Sequence, residues 1–390
     1  MEGQRWRYMR RRISYKFSTK SLRAFFPTFV KCTEECITKC SEKARQGGDF
    51  DAQRVCGELA LDIIKQFVFG VSVHSQSALE SELMYYCRKV LNFSSTKGRL
   101  ILDALFPTLL SSTENLIGRT IFDNDSNQFF IDFVKENLMR NCIDESCLLQ
   151  FLKDEINSTA GEHELPTKRG LFEMNERSIA GICFNFLIAG YETSLNTMQF
   201  ALFSLAHHKD IQDKAFQEIS QVMGDKEKVL YDDVNKLTYL EQIFMETLRL
   251  FPPASRFDRK CRESITLSNV RFNRNCIASV PLFAIHYDED VYPKANQFDP
   301  DRFSPEAVTS RNPYSFMPFG IGPRSCIGKR FAILQFKLTM ACLLRNFVFE
   351  KCDNTPPEPL ELDTRGMTRP KRPIILKITD RQFSPKKCSK

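Results

Sequence analysis

The sequence predicts a mainly α-helical fold with small β-sheets, and three observations support this. Apolar residues recur at helical spacing over long stretches, strand-like segments are short, and no internal repeat divides the 390 residues. With 42% hydrophobic and 26% charged residues, the composition is that of a globular chain. We therefore expect a single domain over 1–390. No run of about 18 apolar residues, the kind that spans a bilayer, occurs in it.

Periodicity predicts the longest helices. A helix is predicted over 51–69, where apolar residues recur every four positions. The stretch 175–210 is apolar on all sides in its middle, which predicts a long helix buried within the domain. A third helix is predicted over 237–250, ended by a Pro-Pro pair, and a final one from just after Cys326 to Leu344.

The remaining segments predict short strands and loops. Strands are predicted at 265–267, 270–272, 279–282, 347–349 and 374–376. A polar surface loop is predicted at 161–170, and a long irregular loop, dense in Pro, Asp and Phe, at 293–323. Because loops of that length inside a domain are usually functional, the second one is a candidate site.

Charge and cysteine content limit the class of protein. The net charge of +7 favours an acidic partner or an anionic membrane surface. No basic motif with interleaved aromatic residues accompanies it, so no nucleic-acid partner is predicted. The 14 cysteines lack paired short spacings, which indicates mostly reduced thiols in a cytosol-facing compartment. We interpret Cys32, Cys36 and Cys40, on one helix face, as core packing rather than a metal site, because no histidine lies nearby.

The loop that contains Cys326 carries the strongest chemical signal. A thiolate ligand needs the backbone to approach it closely, which Gly320, Gly322 and Gly328 permit. Cys326 precedes a predicted helix, whose positive end stabilises a sulfur anion, and Phe319 can shield that sulfur from water. The alternative is an ordinary cysteine near a helix start, but three glycines, Phe and Arg at these spacings favour a ligand.

The loop 319–328 resembles the haem-binding signature of the cytochrome P450 family. The following Lys-Arg-Phe-Ala sequence, 329–332, continues the resemblance, which extends from residue 6 to about residue 377. It implies the cytochrome P450 fold with haem b as cofactor and Cys326 as the axial ligand of the iron. It also implies that Phe319, Gly320, Gly322 and Gly328 line the haem, in a unit formed by 313–345.

A second match lies in the middle of the predicted helix 175–210. An unpaired acid in an apolar helix is costly, so Glu192 indicates a function by itself. An acid beside an alcohol can relay protons, and Thr193 supplies the alcohol. The resemblance of 189–193 to the family's oxygen-activating helix implies that both residues are catalytic.

Two further matches involve charged residues. Glu246 and Arg249 are three residues apart, so they face the same way on a helix, although most such pairs are solvated. The resemblance implies that they form a buried structural triad with Arg302. Asp301, before Arg302, departs from the family's usual Glu.

The resemblance also implies partners for the haem propionates and for the substrate. Trp6 and Arg10, one helical turn apart, can hold one propionate. Arg256 and Arg324 resemble the other propionate partners. Arg7, Arg11 and Arg12 are interpreted as a solvated basic face that could also dock an acidic redox partner. Positions implied to line the substrate site are Phe186, Ala189, Ala254, Ser255, Phe257 and Met367.

The segments 250–253, 286–289 and 316–319 resemble animal microsomal members that metabolise xenobiotics. The resemblance implies a haem-thiolate monooxygenase that inserts one atom of O2 into a small apolar organic substrate. Electrons would come from NADPH through NADPH-cytochrome P450 reductase, with cytochrome b5 as a second donor, on the cytosolic face of the endoplasmic reticulum membrane. No Gly-x-Gly-x-x-Gly unit occurs, so the nucleotide is expected to bind elsewhere.

The match begins at the family's third major helix. We therefore expect this chain to lack the family's membrane anchor, first helices and part of a sheet, and its Arg-rich start to be an internal helix rather than a transit peptide. Two alternatives stay open. One is a non-catalytic remnant with impaired haem binding. The other is an isomerase or dehydratase of oxygenated substrates, which the intact Glu192-Thr193 pair disfavours.

Overall fold

The structure, a computed structural model, describes residues 3–71, 78–91, 124–139, 147–159, 176–226 and 228–381. It is mainly helical with small antiparallel sheets, which confirms the predicted fold class. The chain divides into two compact units. Unit 1 contains Met1–Cys36 and Cys56–Leu195, and unit 2 contains Ile37–Val55 and Asn196–Lys390.

The described α-helices are numbered in chain order. The first seven are α1 Gly3–Ser14, α2 Thr19–Gln46, α3 Ala52–Phe69, α4 Ala78–Leu91, α5 Asn124–Met139, α6 Leu148–Thr159 and α7 Glu176–His207. The next six are α8 Lys209–Met223, α9 Tyr231–Lys236, α10 Thr238–Leu250, α11 Leu282–His286, α12 Pro305–Ser310 and α13 Lys329–Asn346. None of these helices is both long and apolar enough to cross a membrane.

The described strands all lie in unit 2 and pair antiparallel. They are β1 Asp49–Asp51, β2 Arg256–Lys260, β3 Ile265–Leu267, β4 Val270–Phe272, β5 Ile277–Pro281, β6 Phe347–Glu350, β7 Leu362–Asp363, β8 Arg369–Pro370 and β9 Ile375–Asp380. A three-stranded sheet has the order β1-β9-β6. The other ladders are two-stranded: β2 with β5, β3 with β4, and β7 with β8.

Aromatic side chains form much of the core of unit 1. Phe67 on α3 lies 5.1 Å from Phe17 and 5.2 Å from Phe25, between ring centroids. Phe17 also contacts Phe186 on α7, at 5.3 Å. Rings at such distances in tilted or edge-to-face orientations add specific attraction to the area that they bury. These contacts attach α2, α3 and α7 to one another within the unit.

The core of unit 2 is formed by helices against the three-stranded sheet. Helices α8, α9 and α10 each pack on α13, and Phe244 on α10 lies 4.7 Å from Phe336 on α13. The buried Gln212 side chain joins α8 to β6: it donates to the Phe349 carbonyl at 2.9 Å and accepts from the Phe349 N–H at 3.0 Å. An amide can satisfy both backbone groups of a strand residue, which fixes the register of helix and sheet.

Most predicted helices and strands occur at the expected positions in the chain, but their first and last residues differ from the predicted ones. The long apolar helix ends at His207 and is followed at once by α8, and the final helix begins at Lys329. Strands β1, β2, β7 and β8 were not predicted, because most residues of β1 and β2 are charged and β7 and β8 have two residues each. Part of the long loop, Pro305–Ser310, is helical because Pro305 occupies the first turn and Ser304 caps it. The predicted loop 161–170 lies outside the described residues.

Candidate functional site

The Cys326 loop in unit 2 is held by its own backbone hydrogen bonds. The Cys326 N–H donates to the Phe319 carbonyl at 2.8 Å, and the Gly320 N–H donates to the Met317 carbonyl at 2.9 Å. Gly320 and Gly322 have φ of +64° and +73°, in the left-handed region that favours glycine. The loop therefore needs glycine at both positions. The Cys326 thiol is exposed, while the loop's backbone is fixed by these hydrogen bonds.

Helix α13 starts three residues after the cysteine. Its N-cap is Gly328, and its first residue is Lys329, so Cys326 lies before the helix rather than in its first turn. The Cys326 N–H donates within the loop, to the Phe319 carbonyl. Any electrostatic stabilisation of the Cys326 sulfur anion by the start of α13 would therefore act over the distance from Cys326 to Lys329.

Phe319 is packed between α10 and the start of α13. Its ring centroid lies 6.1 Å from that of Phe244, and the Lys329 ammonium lies 5.7 Å from the ring. A half-buried ring held on two sides has little freedom to move. Phe319 thus fixes the side of the loop where the Cys326 amide is bound.

Strand β2 supplies the loop with a partner that the sequence did not indicate. Side chains alternate along a strand, so Phe257 and Arg259 share the half-buried face and Arg256 lies on the exposed one. The Arg259 guanidinium donates to the Ile321 carbonyl at 3.2 Å and stacks over Phe257 at 4.9 Å. The Arg256 side chain is 66% exposed and lies 3.5 Å from Asp258. Arg259, not Arg256, is the strand residue bonded to the Cys326 loop.

A buried ionic network lies in unit 2 at the end of α10. Arg249 donates to Glu246 twice, from Nε at 2.6 Å and from Nη2 at 2.7 Å, and both side chains are fully buried. The Asp299 N–H also donates to Glu246, at 2.9 Å. Burial raises the pKa of Glu246, while these three hydrogen bonds stabilise its carboxylate form and oppose that shift. Arg302 Nε lies 3.5 Å from Glu246, close enough for an ion pair.

Arg249 also organises the long loop. Its remaining N–H groups donate to the carbonyls of His286, Ala295 and Gln297, at 2.9, 2.8 and 3.1 Å. Burying a charge is costly unless hydrogen bonds satisfy it, and here all the bonding directions of the guanidinium are used. The structure thus brings together the three residues of the predicted triad and ties them to the loop at 286–299.

His286 links this network to the Cys326 loop. Its Nε2 accepts from the Met317 N–H at 3.4 Å, so its Nδ1 carries the proton and donates to the Arg249 carbonyl at 3.2 Å. Burial lowers the pKa of His286 to about 4 from the ordinary 6.5. The ring is therefore neutral at physiological pH, as its two hydrogen bonds require.

This pKa predicts acid sensitivity. The folded pKa is depressed, so below pH 6.5 the unfolded chain takes up a proton that the folded chain resists until about pH 4. We expect the free energy of unfolding to fall by about 3 kcal/mol across that interval because of this residue. Urea unfolding of wild type and His286→Gln at several pH values would measure it. The His207→Gln variant should keep the wild-type slope, and an equal slope in His286→Gln would contradict the assignment.

Three predicted substrate-lining residues lie close together in unit 2. Ala254 and Met367 form an isolated antiparallel bridge, although 113 positions separate them in the sequence (367 − 254). Ser255 follows directly, and its carbonyl accepts from the Leu282 N–H at 2.9 Å. The chain between α10 and β2 is therefore fixed on both sides.

The candidates in unit 1 lie on two helices. Trp6 and Arg10 are half-buried and one turn apart on α1, as the spacing predicts. On α7, Glu192 is buried, Ala189 is exposed, and Phe186 is half-buried against Phe17.

Thr193 and Gly190 shape the middle of α7. The Thr193 hydroxyl donates to the Ala189 carbonyl at 2.7 Å, one turn back, so it competes with the helix for that acceptor. A Cβ on Gly190 would lie 2.5 Å from Ile64 Cδ1, so a larger residue here would require the Ile64 side chain on α3 to move. The helix continues without interruption through this region.

Comparison with known proteins decides the family. The family model described as cytochrome P450 matches residues 1–378.

The chain belongs to the cytochrome P450 family.

Similar proteins from three mammals support this family assignment. Cytochrome P450 3A31 of Mesocricetus auratus is 34% identical over 383 residues, which is 97% of this chain and 74% of the relative. Cytochrome P450 3A11 of Mus musculus is 32% identical over 378 residues, 96% of this chain and 74% of the relative. Cytochrome P450 3A12 of Canis lupus familiaris is 31% identical over 386 residues, 98% of this chain and 75% of the relative. The chain is a cytochrome P450 monooxygenase, a class of enzyme that uses a haem cofactor.

The residues of this cytochrome P450 fit a haem. Cys326 presents one thiol on a fixed loop, and a thiolate is an axial ligand of haem iron. Within the described ranges, no group of three or more His, Cys, Asp or Glu residues could hold a metal ion. In the same loop, a Cβ at Gly322 would meet no atom within 4 Å, so the loop leaves room at that glycine.

Sequence reasoning missed Arg259 and His286 as parts of this site. A strand assignment for 256–260 would have separated the faces of Arg256 and Arg259, but four of the five residues there are charged and no strand was predicted. For His286 the sequence held no local signal, because its two partners lie 37 and 31 residues away.

Proposed function

We propose that this cytochrome P450 inserts one atom of O2 into small apolar organic substrates, including xenobiotics, with haem b as cofactor. Electrons would come from NADPH through NADPH-cytochrome P450 reductase, and cytochrome b5 would be a second donor. The observation that carries the proposal is the exposed Cys326 thiol on a loop fixed by backbone hydrogen bonds and by Arg259.

Cys326 would hold the iron, with Phe319, Gly320, Gly322 and Gly328 beside the macrocycle. Bound haem supplies dioxygen activation, and the electron density of the thiolate favours O–O cleavage. Glu246, Arg249 and Arg302 have a structural role in this proposal. Through His286, their network stabilises the conformation of the Cys326 loop.

The propionates need cationic or N–H donors. We propose Trp6, Arg10 and Arg324 for this role and, of the two arginines on β2, Arg259 in place of Arg256. Support for Arg259 is its bond to the loop itself, since a guanidinium has further N–H groups for a carboxylate.

Two arginines on opposite faces of β2 provide a matched test. Arg259→Ala is expected to cost about 1.5 kcal/mol of haem binding, or roughly tenfold in the rate of haem loss to an acceptor protein. Arg256→Ala should change that rate less than about threefold, because its ion pair is exposed. The opposite order would assign the propionate contact to Arg256.

The acid and alcohol of α7 would deliver protons to the reacting oxygen. Thr193 would hold and pass a proton from its hydroxyl, and Glu192, buried one residue before it, would resupply that proton. By resemblance to the family, the proposed substrate-lining positions are Phe186, Ala189, Ala254, Ser255, Phe257 and Met367.

Thr193→Ala is expected to lower the product formed per NADPH consumed by at least about 100-fold, because proton delivery fails while electrons still arrive. Ser194→Ala changes the neighbouring hydroxyl of the same helix and should stay near wild type. Product and NADPH are measured together in a reconstituted assay. A Thr193→Ala variant with unchanged product yield would remove this residue from the catalytic group.

The reductase is expected to approach a basic surface. Arg324, Lys329 and Arg330 are all exposed next to Cys326 in the sequence, and an acidic partner would be steered to them. The net charge of +7 also suits an anionic membrane surface. With the family resemblance, this supports association with the cytosolic face of the endoplasmic reticulum membrane.

The overall proposal is tested by reconstituting the haem-loaded chain with the reductase, NADPH and isotopically labelled dioxygen. Label in an apolar product, lost when the reductase is withheld, is the expected result. Turnover of an oxygenated substrate without reductase would indicate a rearranging enzyme instead. A chain that binds no haem would be a non-catalytic remnant.

A further inference from the structure

Two cysteines face each other where the β2–β5 ladder ends. The last ladder pair is Lys260 with Ile277, and one position further Cys261 lies opposite Cys276. The Cys261 N–H donates to the Cys276 carbonyl at 2.9 Å, so the two backbones are in direct contact there. Both residues are partly exposed.

A bulge fixes this arrangement. The Cys261 carbonyl accepts from the Asn275 N–H at 2.8 Å, so Cys261 opposes two residues of the other strand. Asn275 has φ of +69°, the conformation of the first residue in such a bulge, and the Cys276 N–H closes a turn on the Asn273 carbonyl at 3.1 Å. The two cysteines thus have a backbone held by three hydrogen bonds.

The spacing of paired strands suits a disulfide. Directly opposite residues of antiparallel strands have Cα atoms about 4.5–5.5 Å apart and side chains on the same face. A disulfide needs Cα atoms about 4.4–6.8 Å apart. Hydrogen bonding to the Cys276 side chain raises the pKa of the Cys261 thiol, as expected for two neighbouring thiols.

We propose that Cys261 and Cys276 are a modification site, a dithiol that is oxidised to an intramolecular disulfide by exchange with a low-molecular-weight disulfide such as glutathione disulfide. One cysteine thiolate attacks a sulfur of the reagent, which forms a mixed disulfide and releases one glutathione thiolate. The second cysteine thiolate attacks the protein sulfur of that bond and releases the second glutathione. The protein loses two electrons and two protons, and the reagent becomes two glutathione thiols.

The disulfide would close the base of an exposed hairpin. Strands β3 and β4 lie between the two cysteines, and their apolar side chains Ile265, Leu267 and Val270 are about half exposed. On the other side, Cys261 is two residues from Arg259, which holds the Cys326 loop. The site therefore lies between a surface hairpin and the loop, and the proposal does not depend on haem binding.

The test treats the full-length, haem-loaded protein with glutathione disulfide and then alkylates free thiols with iodoacetamide. The expected result is loss of alkylation at both Cys261 and Cys276 and a linked peptide pair that is lighter by two hydrogens. Arg262, Arg271 and Arg274 lie between the cysteines, so limited trypsin cleavage there should leave the two chain fragments joined until a reducing agent is added.

Single variants test the two steps separately. Cys261→Ser should leave Cys276 as a stable mixed disulfide with glutathione, and Cys276→Ser should do the converse at Cys261. Cys342, also partly exposed but on α13, should never be linked to either cysteine. Alkylation of both cysteines after treatment, or stable glutathione adducts without linkage in the wild-type chain, would overturn the proposal.

Discussion

The Cys326→Ser variant is expected to lose the red-shifted Soret band for which the family is named, measured on the reduced, carbon monoxide-bound protein. A serine hydroxyl is a poor ligand for haem iron at neutral pH, whereas a thiolate is a strong electron donor to it. Without that donor, O–O cleavage is disfavoured, so monooxygenase activity should fall to background. The backbone of the loop should persist, because the hydrogen bonds from Cys326 to Phe319 and from Gly320 to Met317 join main-chain atoms.

A second cysteine provides the control for this experiment. Cys342 lies on α13, the helix that follows the loop, and is partly exposed. Cys342→Ser should keep the band and the activity, so a loss confined to Cys326→Ser is a ligand effect and not a general effect of removing a thiol. A band that survives in Cys326→Ser would show that another residue ligates the iron.

Arg249→Met is expected to have the largest effect on stability. It removes the two hydrogen bonds that Arg249 donates to Glu246 and leaves that buried side chain with the Asp299 N–H and with Arg302, whose Nε lies 3.5 Å away. Breaking a buried ion pair by removing one partner costs about 3–5 kcal/mol. The same change frees the carbonyls of His286, Ala295 and Gln297, so the loop next to the Cys326 segment should loosen.

Urea unfolding curves measure this effect, with the thermal loss of the haem spectrum as a second probe. Lys371→Met breaks an ion pair of similar type but on the surface, 3.5 Å from Glu361 and more than half exposed on both sides. It should cost less than about 1 kcal/mol. If the two variants lost equal stability, the buried network would have no special role in holding unit 2.

Glu246 and Arg249 also show the limit of sequence reasoning. Their spacing predicts that they can pair, but the same spacing is common on solvated helix faces. Only the resemblance to a family implied that the pair is buried. The structure shows the cause: five further residues, brought in by the loop and by α11, surround Arg249 with acceptors and Glu246 with a donor.

The sequence alone determined the helical class, the long helix around Glu192 and Thr193, and the loop around Cys326. These depend on local properties: apolar periodicity, helix-ending prolines, and glycines at positions that require positive φ. Such properties are encoded within a few residues, so they can be interpreted without knowing what packs against them.

The tertiary structure alone decided which residues hold that loop. Arg259 rather than Arg256 reaches it because strand alternation, fixed by pairing with β5, puts one arginine on each face. His286 is buried and neutral because α11 packs on α10, and Met367 meets Ala254 across 113 positions of sequence (367 − 254). Contacts between segments that are distant in the sequence form only when the chain is folded, so they cannot be predicted from a local sequence pattern.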